Sequence, residues 1–485
     1  MNNGLMFQGF EWYLPDNGEY YKDLTLKLDE LRDIGITAIW LPPVYKATGT
    51  NDTGYGTYDL YDLGEFDQKG SIRTKYGTKE ELKNLITEIH NRGMQVYADV
   101  VLNHKAAADK AEKFLAVKVE SSDRTKNLTG PIEIEGWTGY DFPGRGNTYS
   151  DFKWSFNHFS GVDYDNITGS KAIYRIIGQN KGWNLGVSHE KGNFDYLMFA
   201  DIDHAHPDVK NELKKWAIWF IDELSLDGFR LDAVKHIDQV FLNEFAFHIR
   251  TTRNLDFYLL GEYWMNDSSS TNTFLDETAY DIDLFDVSLH YNLYEASLSG
   301  GNYDLRRLFD GTIVKEHPTF CVTFVDNHDS QPGQALTSWI EPWFKEIAYG
   351  IILLRRDGYP CIFYGDYYGT GGDYSQLGIK DSISKLSKIR KNFAYGTQDD
   401  YFNSADVAGW VRHGDDIHPV KCAVIISVGD MKTLKMFVGP EENGKAYADY
   451  TGNNDKKIII DTEGYGEFMV GPGSISVWIK DGLEM

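Results

Sequence analysis

The sequence predicts an α/β protein built on a closed eight-stranded (β/α)8 TIM barrel. A small β domain is inserted after the third strand, and an antiparallel β-sandwich follows at the C-terminus. Three observations carry this expectation. Short apolar runs alternate with helix-spaced segments until eight strands are counted. The alternation stops once, from Lys105 to about Pro207, in a stretch rich in Gly, Asp, Asn, Tyr and Trp. After about Gly396 helical spacing gives way to short strand-like runs separated by Gly, Asp and Asn. The expected division is barrel, first part, 1–104; inserted β domain, 105–207; barrel, second part, 208–396; and β-sandwich, 397–485.

Taken in order, Gly4–Trp12 reads as a first core strand. Tyr21–Ile34 carries Leu24, Leu28 and Leu31 at helical spacing and ends at Gly35. Ile36–Leu41 is continuously apolar, as parallel strands covered on both faces are. Thr78 and Glu81 form a capping box, with Leu82, Leu85, Ile86 and Ile89 behind it and Gly93 at the end. Val96–Leu102 is a third strand, broken by Asp99 and closing on Asn103–His104. The following stretch is too long for a structureless loop inside a compact domain. It reads as an inserted β domain with pieces such as Ala172–Ile177. Alternation resumes with helix Asp208–Leu224 and strand Gly228–Val234, then helix Val240–Thr251 and strand Phe257–Trp264. Strands Leu284–His290 and Phe320–Asp326, a helix around Phe344–Arg355 and strand Pro360–Tyr364 complete the set. An open doubly wound sheet is the alternative, but no G-x-G-x-x-G follows a strand. Val407–Val411, Cys422–Val428, Thr433–Val438, Ala446–Tyr450, Lys457–Ile460 and Ile475–Ile479 are the sandwich strands.

Of the 485 residues, 42% are hydrophobic and 14% aromatic, enough for a large core. The formal net charge of −25 argues against nucleic acid, which needs a basic surface. No apolar run approaches bilayer length, so no membrane partner is expected. Met1–Trp12 lacks a basic region followed by a long apolar one. Cys321, Cys361 and Cys422 are widely spaced in apolar runs and read as buried thiols, neither a disulfide framework nor a zinc motif. A cytoplasmic monomer is the expectation, with a secreted form whose leader has been removed as the alternative.

The stretch that organises the chemistry is Gly228–His236, G-F-R-L-D-A-V-K-H. It places Arg230, Asp232, Lys235 and His236 where a buried strand runs out into its loop. Read alone, it fits a structural Arg–Asp pair equally well. Working residues of such a barrel lie at the C-terminal ends of its strands. Those ends carry Asp99, Asn103 and His104; Arg230 and Asp232; Glu262 and Trp264; and Asn327, His328 and Asp329. Three carboxylates, Asp232, Glu262 and Asp329, end three strands that the fold brings around one axis. No G-x-S-x-G elbow or zinc-like histidine pair joins them, so the available chemistry is that of carboxylates. Two carboxyls facing one bond serve as nucleophile and general acid in retaining glycosidases.

Asp99–His104 (D-V-V-L-N-H), Gly228–His236, Gly261–Trp264 (G-E-Y-W) and Phe324–Asp329 (F-V-D-N-H-D) resemble, in order, the four sequence regions of the α-amylase family of glycoside hydrolases. Phe199–Asp203 (F-A-D-I-D) resembles the family's region in the inserted domain. Phe10–Tyr13 (F-E-W-Y) and Gly54–Phe66 are similar to bacterial liquefying and intracellular amylases. The resemblance implies that Asp232 is the nucleophile, Glu262 the acid and then the base, and Asp329 the stabiliser of an oxocarbenium-like transition state. Arg230 would ion-pair with the nucleophile and keep it ionised, with Asp99 orienting Arg230. Glu262 would need a raised pKa. His104 and His328 would bind sugar hydroxyls, Tyr55 would stack on the sugar, and Trp12, Lys235 and Trp264 would line neighbouring subsites.

The same resemblance implies a Ca²⁺ site formed by Asn103, Asp195, Asp201 and the backbone carbonyl of His236, hard oxygen ligands that would pin the inserted domain to the barrel. Asp163, Asp201 and Asp203 match a further multi-ion cluster, but Asn184 and Ala205 stand where the pattern has Asp. Tyr303 and Asp406 match a further site between barrel and sandwich. The implied activity is endo-acting, retaining hydrolysis of α-1,4-glucan in starch, glycogen or maltodextrin. The alternatives are a transglycosylase or exo-acting maltooligosaccharide-forming enzyme of the same family, or a non-catalytic glucan-binding protein on the same fold.

Overall fold

The structure is a computed structural model that describes residues 3–484; Met1, Asn2 and Met485 lie outside the described residues. Eight strands close into one parallel barrel in sequence order. They are β1 (Met6–Gln8), β2 (Ala38–Leu41), β3 (Gln95–Val100), β4 (Gly228–Leu231), β5 (Tyr258–Gly261), β6 (Asp283–Phe285), β7 (Cys321–Phe324) and β8 (Tyr359–Phe363). Their side chains are almost all buried, as strands enclosed by their own helices must be. Register decides which residues meet. Arg230 on β4 lies opposite Asp99 on β3 and Leu260 on β5. Register partners share a face, so Asp99 and Arg230 point the same way, and Asp232, two residues on, follows them.

Helices surround the barrel. Lys79–Asn91 starts in the expected Thr78/Glu81 capping box. Pro207–Leu224 buries Trp216, which stacks on Phe220 and Phe229. Truncating so large a buried ring costs about 3–5 kcal/mol, so this contact anchors the helix over β4.

All eight expected strands are present, but several boundaries differ. Tyr21–Ile34 is two short helices, Tyr20–Thr25 and Leu28–Asp33. Lys27 N–H reaches back only to Leu24 O, a tightened turn that leaves Leu26 exposed. The first strand is short, Met6–Gln8 rather than Gly4–Trp12. Leu284–His290 is not one strand. The strand ends at Phe285, and Val287–Leu298 is a helix. Asp286 caps it by accepting from Leu289 N at 3.0 Å. The local alternation suggested a strand, but Leu289, Leu293 and Ala296 bury one helical face.

The insertion forms a six-stranded antiparallel sheet. In spatial order its strands are His104–Lys105, Ala200–Ile202, Phe159–Asp165, Ser170–Ile176, Lys110–Lys118 and Ile132–Gly139. Its first edge strand, His104–Lys105, follows directly on β3. Asp201 pairs with His104, so the sheet is welded to the rim of the barrel at the site.

The C-terminal region has a six-stranded sheet and a two-stranded ribbon, Lys432–Phe437 with Tyr465–Val470, that share a core including Val411, Ile425, Met436, Phe468 and Trp478. Two of its strands, Gln398–Tyr401 and Tyr465–Val470, go beyond the expected set. The three cysteines are free and buried. Among the described residues no helix is long and apolar enough to cross a membrane.

Candidate active site

Arg230 is the hub of the site. It is 1% exposed and donates from Nη1 to Asp99 at 2.9 Å and to Asp232 at 2.6 Å, while Nη2 lies 3.6 Å from Glu262. One guanidinium therefore touches carboxylates from three consecutive strand ends. Asp99 is held in turn by Trp40 Nε1 at 3.1 Å and Tyr55 OH at 2.9 Å. Asp99 thus accepts from Arg230 with Oδ1 and from Trp40 and Tyr55 with Oδ2, and both of its oxygens are engaged.

Backbone geometry sets the two facing acids apart. β4 ends at Leu231, and Ala233 turns the chain with φ of +52°. That left-handed conformation is costly for a residue with a Cβ and clusters at functional sites. It aims Ala233 N–H at Glu262 Oε2, 2.8 Å away. The same turn starts the short 3-10 segment Val234–His236, so the expected strand Gly228–Val234 ends early. Asp329 sits on a tight turn in which Asn327 Oδ1 accepts from the N–H of both Asp329 (2.9 Å) and Ser330 (2.8 Å).

Burial raises the Glu262 pKa to about 8. The Arg230 charge opposes the rise, and Asp232 and Asp329 add to it. Burial likewise lifts Asp329 to about 7. Glu262 therefore carries a proton near neutrality. Burial pushes His328 well below its ordinary value, so its ring stays neutral. Gln8 Nε2 lies 2.9 Å from Nδ1 of His328 and donates to it, which places the ring proton on Nε2. Among the described residues that Nε2 has no hydrogen-bond partner, and it lies 3.3 Å from Asp329 Oδ2.

The expected sugar-facing residues gather around this cluster. The rings of Trp12, Tyr55 and His328 are parallel within 7°, with centroids 5.1–6.0 Å apart, forming a flat wall. His104 is buried, and its Nε2 lies 2.8 Å from Tyr55 O. Lys235 bonds Glu190 at 2.8 Å and the Trp264 carbonyl at 3.0 Å, and Trp264 Nε1 donates to Tyr291 OH.

The expected metal ligands lie where the inserted sheet meets β3. Asn103 Oδ1 is buried without a partner among the described residues. Its Nδ2 lies 3.4 Å from Asp201 Oδ1. Asp195 accepts from Asn184 N at 2.8 Å, and Asp201 accepts from Ser160. Among the described residues neither carboxylate forms an ion pair. Burial, reinforced by Asp203, raises Asp195 to about 8, and burial with the charge of Asp195 raises Asp201 well above its ordinary value. Two buried acids beside an orphaned carbonyl oxygen fit a hard cation. His236 is buried, with Nδ1 2.6 Å from Phe194 O. The residues of the multi-ion cluster are placed differently. Asp163 is exposed, and Asp203 is paired with the Lys181 ammonium at 2.7 Å. Asp406 pairs with Lys432.

Several working groups escaped sequence reasoning. Trp40 lies at the end of β2 and Gln8 at the end of β1, so the strand-end rule could have found both. The Ala233 N–H and Glu190 leave no signal, one being backbone and the other lying in a loop of the insertion.

Comparison with known proteins agrees with this fold. Residues 16–406 match the alpha amylase catalytic domain family and residues 432–479 the alpha-amylase C-terminal family. An alpha-amylase of Bacillus licheniformis is 48% identical, covering 99% of this chain and 94% of its own. A glucan 1,4-alpha-maltohexaosidase of Bacillus sp. strain 707 is 47% identical over 99% of this chain and 92% of its own. A cytoplasmic alpha-amylase of Escherichia coli K12 is 40% identical over 99% of both chains. The crystal structure of an alpha-amylase from Geobacillus thermoleovorans in complex with acarbose shares the fold, with a TM-score of 0.66, 21% identity, and 99% and 98% of the two chains covered. Identity at this level over nearly the whole length leaves one conclusion: the chain belongs to the α-amylase family of glycoside hydrolases.

Proposed function

We infer that this protein is an α-amylase that hydrolyses internal α-1,4-glucosidic bonds of starch, glycogen or maltodextrins with retention of configuration. The observation that carries the reading is the single Arg230 guanidinium shared by Asp232 and Glu262, with Glu262 pushed up to about 8. Asp232 Oδ attacks the anomeric carbon while the Glu262 proton passes to the glycosidic oxygen, and the C1–O bond breaks. The emptied Glu262 then takes a proton from the water that attacks C1, and the Asp232 ester bond breaks. Asp329 and the neutral His328 Nε2–H face the same sugar and stabilise its developing charge and hydroxyl positions. Trp12 and Tyr55 offer a flat apolar face to a pyranose ring. His104, Lys235 and Trp264 shape the surrounding subsites.

Asn103, Asp195 and Asp201, with the His236 carbonyl, would hold Ca²⁺, which when bound supplies charge balance and fastens the insertion to the barrel. The division at 104/105, 207/208 and 396/397 belongs to the same reading, as does a monomer acting on glucan in the cytoplasm. Three buried thiols and the cytoplasmic relative support that location. The maltohexaosidase relative favours a second reading, in which hexaose release dominates. Early mixed oligosaccharides from long amylose support endo-hydrolysis; maltohexaose alone supports the second reading.

The test of roles uses leaving groups. Glu262→Gln is expected to lower kcat on soluble starch by about 10²–10⁴-fold. Much of that loss should return on an aryl maltooligoside whose phenolate leaves without protonation. Asp232→Asn should stay inactive on both. Equal recovery in the two variants would refute the assignment.

A further inference from the structure

The end of the barrel opposite the catalytic rim holds a second large cavity. It has a volume of about 1070 Å³ and lies among the N-terminal ends of β2, β3, β5 and β8 and the start of the C-terminal region. That volume is at the upper end of what small-ligand sites occupy. Three tyrosines line one side in a row, with centroids 5.0 Å apart for Tyr97 and Tyr258 and 6.0 Å apart for Tyr258 and Tyr359.

Arg390 and Arg412 line the other side, each 4% exposed and, among the described residues, without an ion pair. Both cap the carbonyl end of helix Pro342–Leu354. Arg390 Nη1 donates to Leu353 O at 2.6 Å and Arg412 Nη1 to Leu354 O at 3.3 Å. Their other Nη groups reach Gly4 O (2.9 Å) and Gly396 O (3.3 Å). The Nε of each is buried with no partner among the described residues. Capping explains the Nη contacts. It does not explain two idle Nε–H donors.

A third arginine, Arg356, stands at the mouth with 58% of its side chain exposed and Asp357 3.3 Å from its Nε. The one carboxylate lining the cavity among the described residues, Asp415, accepts through Oδ1 from the N–H groups of Ile417 (3.0 Å) and His418 (2.7 Å), with the His418 ring Nδ1 3.1 Å away. Burial, then the charge of Arg412, pushes Arg390 down to about 9; burial, with Arg356 adding to it, pushes Arg412 down to about 10. A guanidinium does not give up its proton in a protein, so two guanidinium charges stay buried here with no carboxylate paired to either among the described residues. In a chain with a net charge of −25, the cavity is lined by three arginines and one carboxylate.

We propose that this cavity binds a small phosphate monoester carrying a ring, the phosphate held among Arg390, Arg412 and Arg356 and the ring laid against the tyrosines. Arginine forks match phosphate oxygens in geometry and charge. Tyrosine faces accept either a sugar or a nucleobase. The site is independent of the catalytic reading.

Calorimetric titration of the full chain with inorganic phosphate, glucose 6-phosphate, AMP and uncharged glucose tests it. One phosphate ester should bind at one site per chain with Kd at or below about 1 mM. Phosphate alone should bind more weakly and glucose should not bind, and the better ester identifies the ring. Arg412→Gln should weaken binding about tenfold, the worth of one charge-assisted hydrogen bond. Because Arg412 also caps a helix, Arg356→Ala at the exposed mouth is measured alongside. It should weaken binding similarly and leave starch hydrolysis unchanged. Asp232→Asn should bind the ester as the wild type does. Absence of saturable ester binding, equal binding of glucose, or binding indifferent to Arg356→Ala would each overturn the proposal.

Discussion

Two clusters of buried acid lie side by side on the catalytic rim, and they are balanced in opposite ways. The cluster of Asp99, Asp232 and Glu262 has its cation built in, since Arg230 touches all three. Among the described residues the cluster of Asp195 and Asp201 has none, and its third oxygen, Asn103 Oδ1, has no partner. Burying charge is costly unless it is paired. The first cluster can therefore stand on the sequence alone, fixed in geometry by strand register. The second, in the proposed reading, takes its cation from solution, and its balance would then depend on what the medium offers. A third acid, Asp203, takes the first solution in miniature through Lys181.

The largest expected effect comes from removing the built-in cation. Arg230→Gln should destabilise the fold by about 3–5 kcal/mol at neutral pH, because it leaves buried carboxylates uncompensated. The deficit should shrink as the medium is made acidic, where those carboxylates protonate. Denaturant unfolding of the variant at neutral and mildly acidic pH, with starch hydrolysis measured in parallel, checks both the size and the direction. A deficit that is independent of pH would mean that packing, not charge, is what Arg230 contributes.

Next in size is the borrowed cation. Calcium that binds only the folded chain should stabilise it by about 2.7 kcal/mol at a free concentration one hundred times its Kd. Chelation should therefore lower the melting temperature and the activity together. Asp201→Asn should lower the starting melting temperature and blunt the response to chelator, while Asp232→Asn should lose activity and keep the full response. A chelation response unchanged in Asp201→Asn would move the ion elsewhere.

The comparison also shows what could be read from the chain. The eight barrel strands were legible because each is short, apolar and enclosed, and Arg230, Asp232, Glu262 and Asp329 were legible as ionisable residues at the ends of such strands. β6 was misread because Asp286 is a helix cap that looks, in sequence, like one polar step in a strand. In the insertion, Lys110–Lys118 and Ile132–Gly139 carry charged residues on an exposed face, which hid them in a polar stretch. The Lys181–Asp203 pair joins residues 22 apart in the chain through tertiary packing alone. The Ala233 turn was invisible because its contribution is a backbone N–H, and alanine gives no sign of the positive φ it adopts there.

The smallest effect is the most diagnostic of how the first cluster works. The folded pKa of Glu262, about 8, lies above its ordinary value of about 4.3. The folded state thus binds this proton more tightly than the unfolded chain does. The stability it contributes is fully present below about pH 4.3 and is lost as pH rises through about 8, at up to about 1.4 kcal/mol per pH unit. Glu262→Gln, which cannot ionise, should escape that loss, so it should gain stability relative to the wild type steadily across this window and level off above it. Over the same range the wild-type kcat/KM should fall on the alkaline side with an apparent pKa near 8, because the acid that protonates the leaving oxygen is being emptied. Matching midpoints in the unfolding and kinetic profiles would tie both to one proton. An alkaline limb that survives in the residual activity of Glu262→Gln would assign it to another group, with Asp329, raised to about 7, the first to examine.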